Sequence, residues 1–339
     1  MKHVLVVRLD NEGDVLLMGP AVRAVASQAR VTFLCGPRGL QAARLLPGVD
    51  DILVHRAEWI DPDPPPLDTD ATRALLRTIT ARAVDEAVVF TSFHQSPLPA
   101  ALLLRLAGVL TVAAISTDYA GSLLDLRHRV PDDIHEVERA LSLAEAAGYP
   151  LPEDDDAALS VLRRANNPLT GSRYVVVHPG ASVPARALSP ERNAALVTSL
   201  TEHGHSVVVT GGENEGELTR FVAGSDGLDF GGQTSWSELA EVLAGADAVV
   251  VGNTGPAHLA AAVGTPVVSL FAPVIPAVRW RPWQVPHVLL GDQQAPCAGS
   301  RARICPVEGH PCLDGIPLEA IVAAVEELTP LREPEAVLP

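Results

Sequence analysis

Short, continuous apolar segments alternate with helical segments along almost the whole chain. Residues 4–8 (VLVVR), 31–35 (VTFLC) and 248–251 (AVVV) are apolar at nearly every position. This pattern predicts strands that are buried on both faces rather than strands with one solvated face. Helical stretches of about 10–15 residues separate these segments, which is typical of parallel sheets covered by helices. The sequence therefore predicts an α/β protein built from doubly wound parallel sheets.

The alternation divides into two halves joined by a linker. Residues 150–172 combine proline, acidic and small residues, which is the composition of an interdomain connector, and residues 58–70 predict an acidic, proline-rich surface loop. A chain of 339 residues is also longer than one hydrophobic core usually serves. We therefore predict an N-terminal Rossmann-like domain over residues 1–160, a C-terminal Rossmann-like domain over residues 161–330 and a tail over residues 331–339. Two such domains facing a central cleft bind ligands at the carboxyl ends of their strands.

The predicted elements follow from the apolar runs and from helix start and stop signals. Strands are predicted at residues 4–8, 31–35, 52–55, 87–91, 111–116, 174–178, 206–210, 248–251 and 266–271, and helices at residues 14–27, 40–46, 72–83, 98–107, 135–148, 190–202, 215–222, 237–244, 256–263 and 318–328.

Charge and hydropathy exclude several classes of partner. The net charge is −16, whereas nucleic acids and anionic membranes attract clusters of Lys and Arg. No apolar run reaches the ~18–20 residues that a membrane-spanning helix needs. The first ten residues predict a strand rather than a secretory signal. We therefore expect a cytoplasmic protein without a transmembrane segment that does not bind nucleic acid.

The sharpest motif is residues 252–258 (GNTGPAH), directly after a predicted strand. Thr254 suits a helix N-cap, Gly255 allows close backbone approach, and the proline that follows suits the first helical turn. The helix that follows is almost wholly small and apolar, apart from His258. The free N–H groups and the dipole at such a buried helix start favour a diphosphate. An ordinary capped strand–helix turn and a histidine buried in the core remain open interpretations.

Two further glycine loops follow neighbouring strands of the C-terminal half. Residues 178–186 contain Gly180, Ser182 and Arg186, and small residues with a hydroxyl and a cation suit a phosphate contact. Residues 210–215 contain Gly211 and end at Glu215, whose carboxylate is suited to ribose hydroxyls. Three glycine-bearing loops at strand ends of one sheet indicate a nucleotide site more strongly than each loop does alone.

The N-terminal half places an acidic stretch, residues 10–14 (DNEGD), between its first strand and its first helix. A carboxylate there is either a helix-stabilising group at the N-terminus or a group able to take a proton from an incoming hydroxyl. Asp14 is the candidate for the second role.

Three cysteines lie close together near the C-terminus, at Cys297, Cys305 and Cys312, with His310 between the last two. Their spacing differs from the short pairs of a standard zinc site. A metal site, a redox-sensitive or structural pair, and an inert loop remain open.

Together these stretches are similar to glycosyltransferase family 9, the heptosyltransferases that use ADP-heptose and have the two-Rossmann-domain (GT-B) fold. The similarity lies in residues 4–25, 178–192 and 249–273, and extends to residues 135–148 and 303–316. It implies an inverting, metal-independent glycosyltransferase without a cofactor, which moves a sugar, in this family a heptose, to a glycan, a lipid-linked or a small-molecule acceptor.

The resemblance also implies roles for individual residues. Asp14 matches the catalytic base of the family's Gly-Asp motif, with Arg8, Asn11 and Gly13 on the acceptor side. The positions that match donor-binding residues are Gly180 and Ser182 in the hydroxyl-bearing loop, Arg186 at the donor phosphates, Gly211 and Glu215 near the adenosine ribose, Thr234 near the adenine, and Asn253, Thr254, Gly255 and His258 in the loop before the buried helix.

Three departures from the family pattern bear on the substrates. Asn253 replaces an aspartate that contacts the sugar, and Arg186 replaces a lysine, which keeps the charge but changes the geometry. The chain is acidic where family members that act on lipopolysaccharide present basic patches, so a neutral or cationic acceptor fits better. Two alternatives stay open: a weakly catalytic nucleotide-sugar-binding protein, which Asn253 favours, and a GT-B epimerase that converts its donor without an acceptor.

Overall fold

A computed structural model describes residues 1–61, 63–163, 165–169 and 171–329, so the predicted tail at 331–339 lies outside the described residues. The chain divides into two compact units, one within Met1–Arg163 and one within Arg164–Pro339. Each unit contains one six-stranded sheet among its described residues. None of the helices in the described part of the chain is long and apolar enough to span a membrane.

The first unit alternates strands and helices. Its elements are β1 (Lys2–Arg8), α1 (Glu12–Leu16), α2 (Gly19–Ala26), β2 (Ala29–Cys35), α3 (Leu40–Ala43), β3 (Asp51–Val54), α4 (Thr69–Arg82), β4 (Glu86–Val89), α5 (Leu98–Leu106), β5 (Thr111–Ile115), β6 (Leu126–His128) and α6 (Glu136–Ala146).

The second unit repeats this pattern. Its elements are β7 (Val175–His178), α7 (Pro190–Glu202), β8 (Val207–Gly211), α8 (Gly216–Ala223), β9 (Gly227–Gly231), α9 (Trp236–Ala244), β10 (Ala248–Gly252), α10 (Gly255–Ala262), β11 (Val267–Leu270), α11 (Ala277–Trp280), β12 (His287–Leu290), α12 (Pro311–Asp314) and α13 (Leu318–Leu328).

Both sheets have the strand order of a dinucleotide-binding fold. The first sheet runs β3-β2-β1-β4-β5-β6 and the second β12-β11-β10-β7-β8-β9, and the paired strands are parallel. In each unit the order reverses beside the unit's first strand, between β1 and β4 in one and between β7 and β10 in the other. Ligands of open α/β sheets bind outside the carboxyl ends of the strands at such a switch point. The topology therefore assigns one candidate binding edge to each unit.

The central strands are buried on both faces, as their continuous apolar sequences predict. Leu5 and Val7 of β1 join a core cluster with Ile79 of α4 and Leu104 of α5. Val4 and Val6 of β1 point to the opposite face, because side chains alternate along a strand, and they are also fully buried. Both faces of the sheet are therefore covered.

The helix predicted over residues 14–27 is wrong in one respect, because the structure divides it into α1 and α2. Pro20 stands in the first turn of α2. A proline inside a continuous helix has no N–H to donate, and its ring clashes with the carbonyl four residues earlier. The break at Leu17 and Met18 removes this conflict.

Three strands that the sequence did not predict complete the sheets: β6, β9 and β12. Each lies at a sheet edge. Their residues are mostly half-buried, and β9 (GLDFG) carries two glycines and an aspartate. Edge strands lack the long apolar run of a central strand, so the signal used for the other strands is weak in them.

Candidate active site

Three loops of the second unit meet at one edge of its sheet. β10, β7 and β8 are neighbours, and they end at Gly252, His178 and Gly211. Because these strands are parallel, the loops that follow them emerge side by side. The loop after β7 contains Gly180 and Arg186, and the loop after β10 leads into α10. The structure thus brings most of the predicted donor-binding residues to one place, at the switch point of the sheet.

The carboxylate of Glu215 lies directly on Gly180. A Cβ atom added to Gly180 would lie 2.0 Å from Oε1 of Glu215, and Oε2 of Glu215 accepts a hydrogen bond from the Gly212 N–H at 2.6 Å. The space that a side chain at position 180 would fill is therefore occupied by the carboxylate predicted to hold the ribose. Gly180 thus sets the position of Glu215 and joins the loops after β7 and β8.

His178 lies at the end of β7 beside these two loops. Its Nδ1 is 2.9 Å from Oγ1 of Thr210 on β8. Burial lowers the pKa of His178, although the nearby Glu215 carboxylate raises it in part. A neutral imidazole bonded to a threonine hydroxyl connects the two strands without adding charge to the site.

The backbone of Arg186 packs against the end of β10. A Cβ atom added to Gly252 would lie 2.6 Å from the carbonyl oxygen of Arg186. Arg186 ends a short 3-10 turn over Pro184–Arg186, and the N–H of Ala185 donates to the carbonyl of Arg303 at 3.0 Å. The turn is therefore fixed on both sides, and the half-buried Arg186 side chain starts next to the loop that precedes α10.

The N-terminus of α10 has the features of an anion site. Thr254 occupies the N-cap position, but its side chain makes no capping hydrogen bond to the described residues. The N–H groups of the first turn, which begins at Gly255, are therefore not satisfied by this cap. His258 follows in the same turn and is buried.

Asn253 precedes this helix and is the most informative residue of the site. Its side chain is only 4% exposed, and neither Nδ2 nor Oδ1 has a hydrogen-bond partner among the described residues. A buried amide without partners costs about 1–3 kcal/mol. The amide thus places an unpaired donor and an unpaired acceptor beside the N-terminus of α10.

The three remaining residues of the predicted donor site lie at or after the ends of three different strands of the second unit. Ser182 is exposed in the loop after β7, and Thr234 is half-buried in the loop after the edge strand β9. A Cβ atom on Gly211 would lie 2.5 Å from Cγ2 of Thr219, so this glycine permits the packing of α8. The ligand contacts assigned to these three residues stay predictions.

The first unit buries an arginine among three carboxylates at its own switch point. Nε of Arg8 lies 2.7 Å from Oδ2 of Asp10, its Nη2 lies 2.9 Å from Oδ1 of Asp14, and its Nη1 lies 3.4 Å from Oε2 of Glu136. The Nη2 group also donates to Oγ of Ser92, which follows β4, at 2.9 Å. We call Arg8, Asp10, Asp14 and Glu136 the Arg8 cluster.

Exposure distinguishes Asp14 from the other members of the cluster. The side chain of Asp14 is 21% exposed, whereas those of Arg8, Asp10 and Glu136 are 0%, 7% and 1% exposed. Asp14 is therefore the most accessible carboxylate of the cluster. The guanidinium of Arg8 is enclosed, so its predicted acceptor-side role stays a prediction.

The cluster carries more negative than positive charge. Burial alone lowers the pKa of Arg8, but the three carboxylates raise it well above its ordinary value, and Arg8 stays protonated. Burial raises the pKa of Asp10 to about 6, although Arg8 opposes this. Burial also raises the pKa of Glu136, against Arg8 and Arg139, whose Nη1 lies 3.7 Å from Oε2 of Glu136.

Asn11 and Gly13 lie in the loop and first turn around Asp14. Asn11 is the exposed N-cap residue of α1, without a side-chain capping bond, and Gly13 is buried in the helix. Their acceptor-side roles stay predictions. Sequence reasoning missed Glu136, which no local pattern connects to Arg8, since 128 residues separate them.

The three C-terminal cysteines are free thiols. Burial, together with Cys297 and Cys305, raises the pKa of Cys312 to about 11, so Cys312 lies within electrostatic reach of the other two thiols. Among the described residues, no group of three His, Cys, Asp or Glu side chains is arranged to hold a metal ion.

Comparison with solved structures defines the class of fold. A family 9 glycosyl transferase from Veillonella parvula superposes with a TM-score of 0.79 over 97% of both chains at 18% identity. An E. coli heptosyltransferase solved with ADP-2-deoxy-2-fluoro heptose superposes with a TM-score of 0.73 over 96% of this chain and 99% of that chain at 20% identity. The two parallel Rossmann-like sheets are those of the GT-B fold.

The sequence comparison identifies the family. The model of glycosyltransferase family 9 (heptosyltransferase) matches residues 72–310, and the chain belongs to this family. Lipopolysaccharide heptosyltransferase 3 of E. coli K12 is 28% identical over 218 residues, which cover 60% of this chain and 62% of that protein. The chain spans about half to two thirds of the length of the curated relatives that it matches. The resemblance inferred from the sequence is confirmed.

Proposed function

We propose that the chain transfers a heptose from ADP-heptose to a hydroxyl group of an acceptor. The second unit binds the donor at the loops after β7, β8 and β10, and the first unit binds the acceptor near Asp14. The observation that carries the proposal is the buried, unpartnered amide of Asn253 at the N-terminus of α10. Family membership and the E. coli heptosyltransferase solved with an ADP-heptose analogue support this donor. The cytoplasm is the compartment expected from the sequence.

On the donor side, the diphosphate lies against the first turn of α10. Its N–H groups and helix dipole stabilise negative charge, which grows on the diphosphate as the bond to the sugar breaks. Arg186, whose chain is fixed against Gly252, supplies a cation, and His258 supplies a further hydrogen bond. These groups stabilise the leaving group without a metal, so we propose a metal-independent reaction. Glu215 holds the ribose hydroxyls, and Asn253 contacts the sugar with one donor and one acceptor group.

On the acceptor side, Asp14 takes the proton from the attacking hydroxyl. Nη2 of Arg8 lies 2.9 Å from Oδ1 of Asp14 and so orients it, but the same guanidinium also pairs with the carboxylates of Asp10 and Glu136. Asp14 is therefore oriented without being fully neutralised, and it remains able to accept a proton. The deprotonated oxygen attacks the anomeric carbon opposite the departing ADP, and a single displacement of this kind inverts the anomeric configuration.

The test compares Asp14→Asn with wild type in transfer from ADP-heptose. Acceptors are a panel of core oligosaccharides and methyl glycosides, released ADP is measured, and the product anomer is assigned by NMR. We expect Asp14→Asn to lower kcat by about 10²–10⁴-fold, because a general base contributes that much, and to bind ADP as wild type does.

Asp70→Asn is the matched control, because Asp70 is 91% exposed on α4 and should leave the rate unchanged. Near-full activity of Asp14→Asn with normal ADP binding would refute Asp14 as the base. Loss of activity in EDTA that added metal restores would refute metal independence. Conversion of ADP-heptose to an isomer without an acceptor would indicate an epimerase instead.

A further inference from the structure

The first unit contains a cavity of about 300 Å³ that the donor and base assignments do not use. It lies at the carboxyl ends of β1, β2 and β3, where it is lined by Leu9 after β1, by Arg38 in the loop after β2, and by Arg56, Ile60 and Asp61 after β3. Ligand pockets begin at about this volume. The cavity adjoins the switch point of the sheet.

The wall of the cavity is preformed. A Cβ atom added to Gly36 would lie 2.5 Å from the carbonyl oxygen of Leu9, so the loops after β1 and β2 are in close backbone contact. The two loops therefore hold one another, and Leu9 is buried between them. A rigid wall lowers the entropy cost of binding a ligand.

The charges that line the cavity balance. Oδ1 of Asp61 lies 3.7 Å from Nη2 of Arg38, and Oδ2 lies 3.1 Å from Nη2 of Arg56. The N–H of Asp63 donates to Oδ1 of Asp61 at 3.2 Å, and its carboxyl group belongs to the same lining. Both guanidinium groups thus pair with Asp61, and Asp63 is a second acidic residue of the lining. The Asp63 N–H and Arg56 hold the pKa of Asp61 below its usual range.

This arrangement favours a neutral polyol over an anion. A phosphate offers only acceptors and would compete with Asp61 for the guanidinium groups, at the cost of repulsion from two carboxylates. A sugar hydroxyl both donates and accepts, so it bonds to an arginine and an aspartate at once. Ile60, which is half-buried in the lining, supplies an apolar surface for the C–H face of a sugar ring.

The cavity lining adjoins the Arg8 cluster in sequence. Leu9 directly precedes Asp10 of the Arg8 cluster. Burial raises the pKa of Glu12, and Arg38 lowers it in part, so the two groups lie within electrostatic reach of each other. Glu12 begins α1, and Asp14 stands in the same helical turn. The cavity and the proposed base therefore belong to the same unit, and Leu9 links the cavity lining to the Arg8 cluster along the chain.

We propose that this cavity binds an uncharged sugar ring of the acceptor through Arg38, Arg56 and Asp61, and discriminates against phosphorylated sugars. The inference rests on the proposed function, because it assigns the ring to the acceptor. It names the acceptor's chemical class: a glycan or glycoside with an unphosphorylated terminal residue.

The experiment measures direct binding to the full chain by saturation-transfer NMR and titration. The probes are methyl glycosides of neutral hexoses and heptoses, glucose 6-phosphate and inorganic phosphate. Arg56→Gln and Asp61→Asn are compared with Arg73→Gln, which alters an exposed arginine of α4. We expect wild type and Arg73→Gln to bind a neutral glycoside more tightly than glucose 6-phosphate. Arg56→Gln and Asp61→Asn should each bind the glycoside about tenfold more weakly than wild type, as expected for the loss of a charge-assisted hydrogen bond. Asp61→Asn should also bind glucose 6-phosphate better than wild type, because it releases two guanidinium groups.

Several outcomes would overturn the inference: tighter binding of glucose 6-phosphate than of the glycosides by wild type, glycoside binding that both variants retain, or no glycoside binding with or without saturating ADP. Transfer from ADP-heptose is measured separately on wild type. Glycoside binding at the cavity without any transfer would refute the proposed function and leave the sugar site standing. Transfer without such binding would do the reverse.

Discussion

Asp10→Asn tests the electrostatics of the Arg8 cluster through the pH dependence of stability. Burial raises the pKa of Asp10 from its ordinary 3.8 to about 6. The Asp10 carboxyl therefore stays protonated to a higher pH in the folded chain than in the unfolded chain. Its contribution to the free energy of unfolding is complete below about pH 4 and is lost as pH rises through about 6. A difference of about two pKa units corresponds to about 3 kcal/mol. Asparagine does not ionise, so the stability of the variant relative to wild type should increase by about 3 kcal/mol between pH 4 and pH 7.

The comparison across pH removes the other effects of the substitution. The substitution removes the ion pair with Arg8 and changes the hydrogen bond from Gln95, whose Nε2 donates to Asp10 at 2.5 Å, but the contacts of the uncharged Asn do not change with pH. The assay is native-state hydrogen exchange of β1 peptides by mass spectrometry, with intrinsic exchange rates corrected for pH, so that the opening of the first unit is followed by itself. Asp70→Asn, at an exposed carboxylate, is the control and should show no such change with pH.

A relative stability that is constant with pH, or that falls as pH rises, would refute the reasoning. A falling curve would mean that the attraction of Arg8 outweighs the burial of the third carboxylate. The Arg8 cluster would then be a fully compensated ion network.

The loops of the second unit give three further predictions. Gly180→Ala should displace the Glu215 carboxylate and weaken ADP binding about tenfold by calorimetry. The loss of fold stability should be small, because the Glu215 side chain can rotate away. Unchanged ADP affinity would contradict the contact. Gly252→Ala should destabilise the second unit by about 1–3 kcal/mol in hydrogen exchange of β10, because its Cβ meets the Arg186 carbonyl, which cannot rotate away; wild-type protection would contradict it. Asn253→Leu should stabilise the unliganded protein by about 1–3 kcal/mol in urea unfolding and weaken ADP-heptose binding more than ADP binding. A destabilised Asn253→Leu would show that the amide has a structural role.

The sequence predicted the central strands and the loops at their ends because these signals are local. Continuous apolar runs such as Val4–Val7 must be buried on both faces, and glycines and helix-start residues follow at once. The break before α2 was not predicted, although Pro20 lies inside the predicted helix and signals it. The three edge strands β6, β9 and β12 were not predicted, because half-buried strands lack a continuous apolar run.

The candidate site was predictable where it lies in continuous motifs. Asp14, Glu215 and Asn253 were singled out by their loops and by the family resemblance. Glu136 was not, because its contact with Arg8 depends on how the sheet brings distant segments together. The balanced charges of the cavity at the ends of β1, β2 and β3 likewise depend on three strand ends meeting at one edge.

The placement of the Glu215 carboxylate over Gly180 constrains how this chain can diverge. Any substituent larger than hydrogen at position 180 requires the carboxylate at position 215 to rotate away or to be replaced, so a change at 180 also changes where that carboxylate lies. Attempts to redesign the nucleotide preference of the chain would therefore start from double substitutions, with a shorter residue at 215 introduced before any bulk at 180.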